Sequence, residues 1–170
     1  MNLITLVKKT VTEYVKNKKV IPLPEDDNSK LRSESKPLFI TIKKNGSLRG
    51  CMGTIESTES NLGKEIISNS IAACRDPRFN PIDEVELKEL EYEINIIREK
   101  IEIKKDYLEK VNPKKEGIIV KSGLKTGLLL PDIEGVDNSK KQLEIALRKA
   151  GITRDDYKIL KFKTDKYEGM

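Results

Sequence analysis

One dipeptide constrains the fold more than any other feature of this sequence. Asn45-Gly46 lies between two segments of strand-like character, residues 38–44 and 47–52. Asn-Gly in such a position is the strongest short-range signal for a β-hairpin, because both residues of the turn need a positive φ angle. The sequence therefore predicts an antiparallel strand pair, with Cys51 late in its second strand.

Helical spacing of apolar residues marks three further segments. Apolar residues recur every four positions from Leu3 onward and predict a helix over residues 3–17. A second helix is predicted from the N-cap candidate Asn61 to about residue 74. A third is predicted over residues 143–150 and ends at Gly151.

Extended segments account for much of the remaining chain. Residues 90–97 alternate with a period of two, which predicts a half-buried strand whose largely polar face includes Glu93. Apolar runs at 117–121 and 127–130 predict a second hairpin, and residues 157–166 predict a closing strand. Because helices and strands mix without regular βαβ alternation, we predict an α+β fold, mainly an antiparallel sheet with flanking helices.

Two connections between these elements have their own signals. The polar stretch 22–37, with the acidic run Glu25-Asp26-Asp27-Asn28, predicts a surface connection. Thr153 and Asp156 approximate a capping box and predict one helical turn before the closing strand.

The composition indicates a folded, highly charged domain without histidine. Of 170 residues, 48 are Ile, Leu, Val or Phe, and the net charge is only +5, which together exclude a disordered chain. With no histidine, the usual zinc ligand sets and the Ser-His and Cys-His catalytic pairs cannot form within this chain. We therefore predict no cofactor and no metal site, and any chemistry uses carboxylate, Lys, Arg or thiol groups.

The charge and hydropathy patterns also predict the surroundings of the protein. No apolar run approaches the roughly 18 residues of a spanning helix, and Lys8-Lys9 comes too early for a signal-peptide core, so we predict a cytoplasmic protein without membrane contact. Residues 140–170 hold nine Lys or Arg against five acidic residues. Nucleic-acid binding through this region is a minor alternative, because no dense basic run or aromatic platform accompanies it.

The stretch Leu48-Arg49-Gly50-Cys51-Met52-Gly53-Thr54 carries the first candidate site. Glycines in a strand indicate a bulge or the close approach of another backbone or a ligand, and because Gly50 and Gly53 bracket the thiol, we expect an open approach to Cys51. If the strand stays regular, Arg49 shares a face with Cys51 and would stabilise its thiolate; a bulge at Gly50 would separate them. The alternative is a buried structural cysteine, which is also our interpretation of Cys74 on its apolar helix face.

A second candidate cluster follows the predicted second helix. Arg75 and Arg78 flank Asp76 and could bind an anion in bidentate fashion, or Asp76 could pair locally with them. Glu56 and Glu93 could accept protons, although such residues are more often solvated charges.

These motifs resemble the signature Leu-Arg-Gly-Cys-Ile-Gly-Thr of the AMMECR domain family. The resemblance extends through Arg75-Asp76-Pro77-Arg78-Phe79, Glu93 and Gly117 to Lys149-Ala150-Gly151, and so covers essentially the whole chain. It implies a cytosolic α+β protein, one domain over 1–170, with two unequal subdomains of undefined boundary and a cleft that the cysteine motif faces. The chain departs from the family pattern after Pro131, where many relatives carry Gln-Val-Ala and a tryptophan.

The resemblance implies no established reaction, cofactor or substrate. Relatives are often encoded beside Memo-like and radical S-adenosylmethionine proteins, which are therefore expected partners. Our leading hypothesis is a small-molecule or modified-substrate site around Cys51, with possible thiol catalysis; the alternative is a non-catalytic adaptor for one of those partners. In the leading hypothesis Glu56 and Glu93 handle protons, and the substrate contacts come from Arg49, Gly50, Gly53, Thr54, Arg75, Asp76 and Arg78.

Overall fold

The structure, a computed structural model, describes residues 1–25 and 29–170. The described chain forms three α-helices, six strands and two short 3-10 helices. The 3-10 helices span Glu84–Glu89 and Lys105–Lys110. The α-helices are α1 (Leu3–Asn17), α2 (Leu62–Cys74) and α3 (Ser139–Ala150). The strands are β1 (Leu38–Lys44), β2 (Ser47–Gly53), β3 (Leu90–Ile103), β4 (Gly117–Ser122), β5 (Lys125–Leu129) and β6 (Lys158–Gly169).

The six strands form one sheet in the order β2-β1-β3-β6-β4-β5. The pairs β1–β2, β1–β3, β4–β5 and β4–β6 are antiparallel. The predicted α+β class with a mainly antiparallel sheet is therefore confirmed. No helix of the described residues is long and apolar enough to cross a membrane.

The chain divides into two compact units. One comprises Met1–Ile96 with Asp165–Met170, and the other comprises Ile97–Thr164. A cleft between two subdomains, which the family resemblance implies, stays a prediction.

Local signals place the first hairpin, the ends of α1 and α2 and the C-terminal end of α3 where the sequence predicts them, whereas α3 begins at Ser139, before the predicted residue 143. Asn45 and Gly46 both adopt positive φ angles, 51° and 74°, as the two-residue turn requires. The side chain of Asn61 accepts a hydrogen bond from the backbone N–H of Lys64 and so caps α2. Of the acidic run at 25–28, residues 26–28 lie outside the described residues.

In the first unit, helices α1 and α2 cover one face of the sheet. Alternate residues of β1 and β3 face these helices and are fully or almost fully buried: Leu38, Ile40, Ile42, Leu90, Tyr92, Ile94 and Ile96. The other face of the same strands carries polar residues, including Thr41 and Glu93. Cys51 of β2 also lies on this polar face, because it is the register partner of Thr41.

In the second unit, α3 packs on the β4–β5 hairpin. Gly127 allows this packing, because a Cβ there would clash with the backbone oxygen of Ala146 in α3. The hairpin turn is shorter than predicted, since Ser122 pairs with Lys125 and only two residues connect the strands. The predicted helical turn at residues 153–156 is wrong: Asp156 accepts a hydrogen bond from the Ser122 hydroxyl and caps no helix.

Candidate functional site

The backbone of Cys51 is held at the edge of the sheet by a buried carboxylate. The Cys51 N–H donates a hydrogen bond of 2.9 Å to Oδ2 of Asp76, whose side chain is only 1% exposed. Arg78 donates to both oxygens of Asp76, from Nε at 2.9 Å and from Nη2 at 2.6 Å, and Nη2 also lies 3.5 Å from the Cys51 carbonyl oxygen. These two side chains thus occupy the outward-facing backbone groups of an edge strand, which would otherwise be open to pairing.

The Asp76–Arg78 pair is ionised over most of the pH range. Hydrogen bonds from Arg78, together with those from the Cys51 and Arg78 backbone N–H groups, lower the pKa of Asp76 to about 2 against the opposing effect of burial. The hydrogen bond with Asp76 raises the pKa of Arg78 in turn. The predicted alternative of a local ion pair therefore describes Asp76 and Arg78. The Arg78 side chain nevertheless stays 58% exposed.

A β-bulge decides which face of the sheet carries Cys51. Near the turn, Lys43 pairs with Leu48; after the bulge, Ile42 pairs with Gly50, so Arg49 has no partner on β1. A regular hairpin would place Cys51 opposite Ile40, on the face that α1 and α2 bury. The extra residue shifts the register by one and moves Cys51 to the opposite, polar face.

On that polar face the thiol lies beside a threonine that the sequence did not single out. Sγ of Cys51 is 3.3 Å from Oγ1 of Thr41, and either atom can be the donor. Thr41 is 7% exposed, whereas Cys51 is half-buried. Thr41 is also the register partner of Glu93 on β3, so Cys51, Thr41 and Glu93 form one row across three adjacent strands.

Glu93 is held by cations rather than poised as a base. Its Oε2 accepts from Lys43 at 3.0 Å and lies 3.3 Å from Nζ of Lys166, and its Oε1 accepts from Asn95 at 2.7 Å. Burial would raise the pKa of Glu93, but these partners lower it below its usual value. Two strand spacings, about 10 Å, separate the Glu93 and Cys51 backbones.

Arg49 points to the loop that precedes β3. Its guanidinium uses four of its five N–H groups, two for the Glu86 carboxylate and one each for the carbonyl oxygens of Asn80 and Pro81. The bond with Glu86 raises the pKa of Arg49, and that with Arg49 lowers the pKa of Glu86. The bulge thus separates Arg49 from Cys51, and the expected stabilisation of the thiolate by Arg49 has no geometric support.

Both glycines of the motif admit protein atoms rather than a ligand. A Cβ at Gly50 would clash with the backbone oxygen of Ala73 in α2, and a Cβ at Gly53 would clash with the carbonyl oxygen of Leu38 and the ring of Phe39. The interpretation of these glycines as an open approach to the thiol is therefore corrected: close packing of α2 and β1 explains both.

Thr54 and the following loop are fastened to a buried glutamate that sequence reasoning missed. Glu65 of α2 is 0% exposed, and its carboxylate accepts from the Thr54 hydroxyl at 2.9 Å and from the backbone N–H groups of Thr58 and Glu59 at 2.9 and 2.8 Å. Burial would raise the pKa of Glu65, but these donors hold it below its usual value. Thr54 thus fixes the loop, and Glu56 lies exposed within it.

Arg75 lies on the other side of β2 from the thiol. It lines a groove of about 690 Å³ together with Met52, whose side chain projects to the face opposite that of Cys51. The other lining residues come from α2 and from the two flanking loops: Val20, Ile21, Pro22, Leu23, Glu59, Lys64, Ile67, Ser68, Ile71 and Ala72. The structure therefore divides the predicted cluster, with Asp76 and Arg78 beside Cys51 and Arg75 in this groove.

Cys74 has the properties of a structural residue. It is 8% exposed, and burial raises the pKa of its thiol to about 12. Neither it nor Cys51 forms a disulfide. Among residues 1–25 and 29–170, no group of three or more acidic or cysteine side chains could hold a metal ion.

Fold and motifs together define an α+β domain with a cysteine presented at a sheet edge. The chain belongs to the AMMECR1 family, whose model matches residues 4–170. A protein of Thermotoga maritima is 40% identical over 164 residues, which cover 94% of this chain and 93% of the relative. A protein of Clostridium acetobutylicum is 37% identical over 168 residues, or 97% of this chain, but the match spans only 35% of that longer protein.

A solved structure has the same fold. The crystal structure of an uncharacterised protein from Pyrococcus horikoshii superposes with a TM-score of 0.89 at 27% sequence identity, covering 98% of this chain and 89% of the other. These comparisons show the family and the fold.

Proposed function

We propose that this protein binds a small molecule or a modified substrate at Cys51 and reacts with it through the thiol. The observation that carries the proposal is the placement of Cys51: a bulge turns its half-buried side chain to the polar face beside Thr41, while Asp76 holds its backbone. Cys74 provides the contrast within the same unit, since it is buried and its pKa is raised to about 12.

The neighbouring groups suggest how a ligand would be held. Nη1 of Arg78 makes no hydrogen bond with the described residues and the side chain is 58% exposed, so it offers two N–H donors to an anionic group. The Thr41 hydroxyl can donate to the sulfur and so favour its thiolate form. In the reaction, Sγ adds to the electrophilic carbon of a double bond in the ligand, the π electrons of that bond move to its other atom, and the thiol proton passes through water to that atom.

A protection experiment tests the site. The protein is incubated with size-fractionated metabolites from native cells, and alkylation of Cys51 by iodoacetamide is then followed by mass spectrometry. We expect a fraction that slows alkylation of Cys51, that is retained by the native protein and that is not retained by the Cys51→Ala variant. Retention that is equal in both proteins, or no protecting fraction, would remove the proposal.

A second proposal is a non-catalytic module that docks a Memo-like or radical S-adenosylmethionine protein. The apolar groove beside Met52 favours it, since Met52 is 37% exposed and Val20 is 66% exposed. Co-purification from native cells that persists in Cys51→Ala but is lost on substitution of Val20 would support this module. Co-purification that depends on Cys51 would instead favour the thiol site.

A further inference from the structure

The groove beside Met52 is built along one face of helix α2. Lys64, Ile67, Ile71 and Arg75 follow each other at intervals of three or four residues, the spacing of one helical stripe, and all four line the groove. From Lys64 to Arg75 the stripe is about 16 Å long at 1.5 Å per residue. The chain segment 20–23 forms one wall, and Met52 lies on the lining as well.

The two ends of this stripe carry cations that have no ion-pair partner among residues 1–25 and 29–170. Neither the Lys64 ammonium nor the Arg75 guanidinium makes an ion pair or a side-chain hydrogen bond with the described residues, and both residues are exposed. Most other arginines of the first unit are engaged; Arg49 and Arg78, for example, are paired with Glu86 and Asp76. One carboxylate, that of Glu59, also lines the groove.

We propose that this groove binds an apolar peptide segment of a partner protein that carries an acidic residue at each end. The apolar middle of the stripe accounts for apolar side chains in the ligand, and the cations at the two ends of the stripe account for two separated acidic groups. A fatty acid, which has one carboxylate, would satisfy only one of the two cations. Exposed Met52 suits such a surface, since methionine adapts to varied apolar partners.

This inference is independent of the thiol chemistry, because Met52 and Cys51 project to opposite faces of β2. It rests on the second proposal, and it deepens that proposal by naming the docking surface and the chemistry of the docked segment. A peptide titration of the purified protein separates these proposals. It can fail even if a partner docks elsewhere on the protein, and it can succeed whether or not Cys51 is reactive.

The probes are synthetic amphipathic peptides long enough to span the stripe. A set shares apolar residues at i, i+3, i+4 and i+7, and its members differ only in carrying Glu or Lys at both ends; dodecanoate serves as the acyl probe. Backbone amide chemical shifts of the isotope-labelled protein locate the binding site, and the same titrations give affinities. We expect the Glu-ended peptides to shift residues of the α2 stripe and to bind more tightly than their Lys-ended counterparts.

Variants that reverse a cation of the groove and a variant that removes its carboxylate should change peptide affinity in opposite directions. Lys64→Glu and Arg75→Glu should each weaken the Glu-ended peptides about fivefold, and the double variant should prefer the Lys-ended set. Glu59→Gln should strengthen binding of the Glu-ended set about twofold. The charged groups of Lys64, Arg75 and Glu59 bond to no described side chain. The midpoint of thermal unfolding should therefore change little, and its measurement confirms that each variant is folded.

A matched pair of apolar variants tests the wall of the groove. Val20→Asp should abolish binding of the Glu-ended peptides, whereas Val85→Asp, at a valine that is 69% exposed but outside the groove, should leave it unchanged. Equal affinity for Glu-ended and Lys-ended peptides, shifts located away from α2, or binding of dodecanoate but not of peptide would each overturn the inference.

Discussion

Replacing Asp76 with Asn is expected to destabilise the protein by about 2 kcal/mol at neutral pH and by much less in acid. The carboxylate is nearly inaccessible, and hydrogen bonds from Arg78 lower its pKa from 3.8 to about 2. A shift of this size corresponds to about 2 kcal/mol of folding free energy. Because the folded-state pKa lies below the unfolded value, this contribution is present above about pH 4 and is lost as the pH falls through about 2.

The measurement is urea unfolding of the wild type and Asp76→Asn from about pH 7 to about pH 2. The difference in the free energy of unfolding should shrink toward zero at the acid end, where about half of the wild-type carboxyl is protonated in the folded protein and nearly all of it in the unfolded protein. Asp106→Asn, which replaces an exposed aspartate, is the control and should stay within about 0.5 kcal/mol of the wild type throughout. A difference that is the same at every pH would show that geometry, and not the charge pair with Arg78, is responsible.

Three other predictions follow from the packing around the site. Gly50→Ala should cost about 1–3 kcal/mol in urea unfolding, since its Cβ would clash with α2, whereas a small effect would mean that the helix shifts freely. Glu65→Gln should cost about 3 kcal/mol in the free energy of unfolding and speed hydrogen exchange at the Thr58 N–H, because both carboxylate oxygens of Glu65 accept hydrogen bonds and an amide has only one oxygen; unchanged exchange would contradict the role of Glu65 in holding this loop. Stability should fall above about pH 9 by about 1.4 kcal/mol per pH unit, since the pKa of Cys74 is raised to about 12 and the unfolded thiol ionises first; an unaltered slope in Cys74→Val would refute this.

Elements with local signals could be predicted from the sequence. The first hairpin follows from the φ angles that Asn45 and Gly46 allow, and helix α1 follows from its apolar spacing and was predicted with the bounds Leu3–Asn17. Helix α2 begins after the predicted cap, Asn61. In each case the residues that decide the structure lie within a few positions of each other.

The bulge at Arg49 could not be predicted from its surroundings in the sequence. It is stabilised by four hydrogen bonds to Glu86, Asn80 and Pro81, which are 31 to 37 residues away. Counting back from a regular two-residue turn would pair Thr41 with Gly50, so the contact between Thr41 and Cys51 was not foreseeable. One extra residue reverses the face, and with it the environment, of the thiol.

Buried polar contacts were likewise beyond the sequence. Glu65 looks like a surface residue of an amphipathic helix, and only the folded loop brings the donors of Thr54, Thr58 and Glu59 to it. The groove also depends on tertiary contacts, since residues 20–23 and Met52 meet only across α2. For the site residues, the sequence identified the chain segments but not which side chains face one another.

The rate of Cys51 alkylation tests the central claim most directly. Iodoacetamide is applied to the native protein near pH 7, and the modified cysteines are identified by mass spectrometry, with Cys74 as the internal reference and a small cysteine peptide as the model thiol. The account predicts that Cys51 reacts faster than the peptide, that Thr41→Val slows it while Thr41→Ser does not, and that Cys74 reacts only after unfolding. A Cys51 that reacts no faster than the peptide, or that is as slow as Cys74, would contradict it.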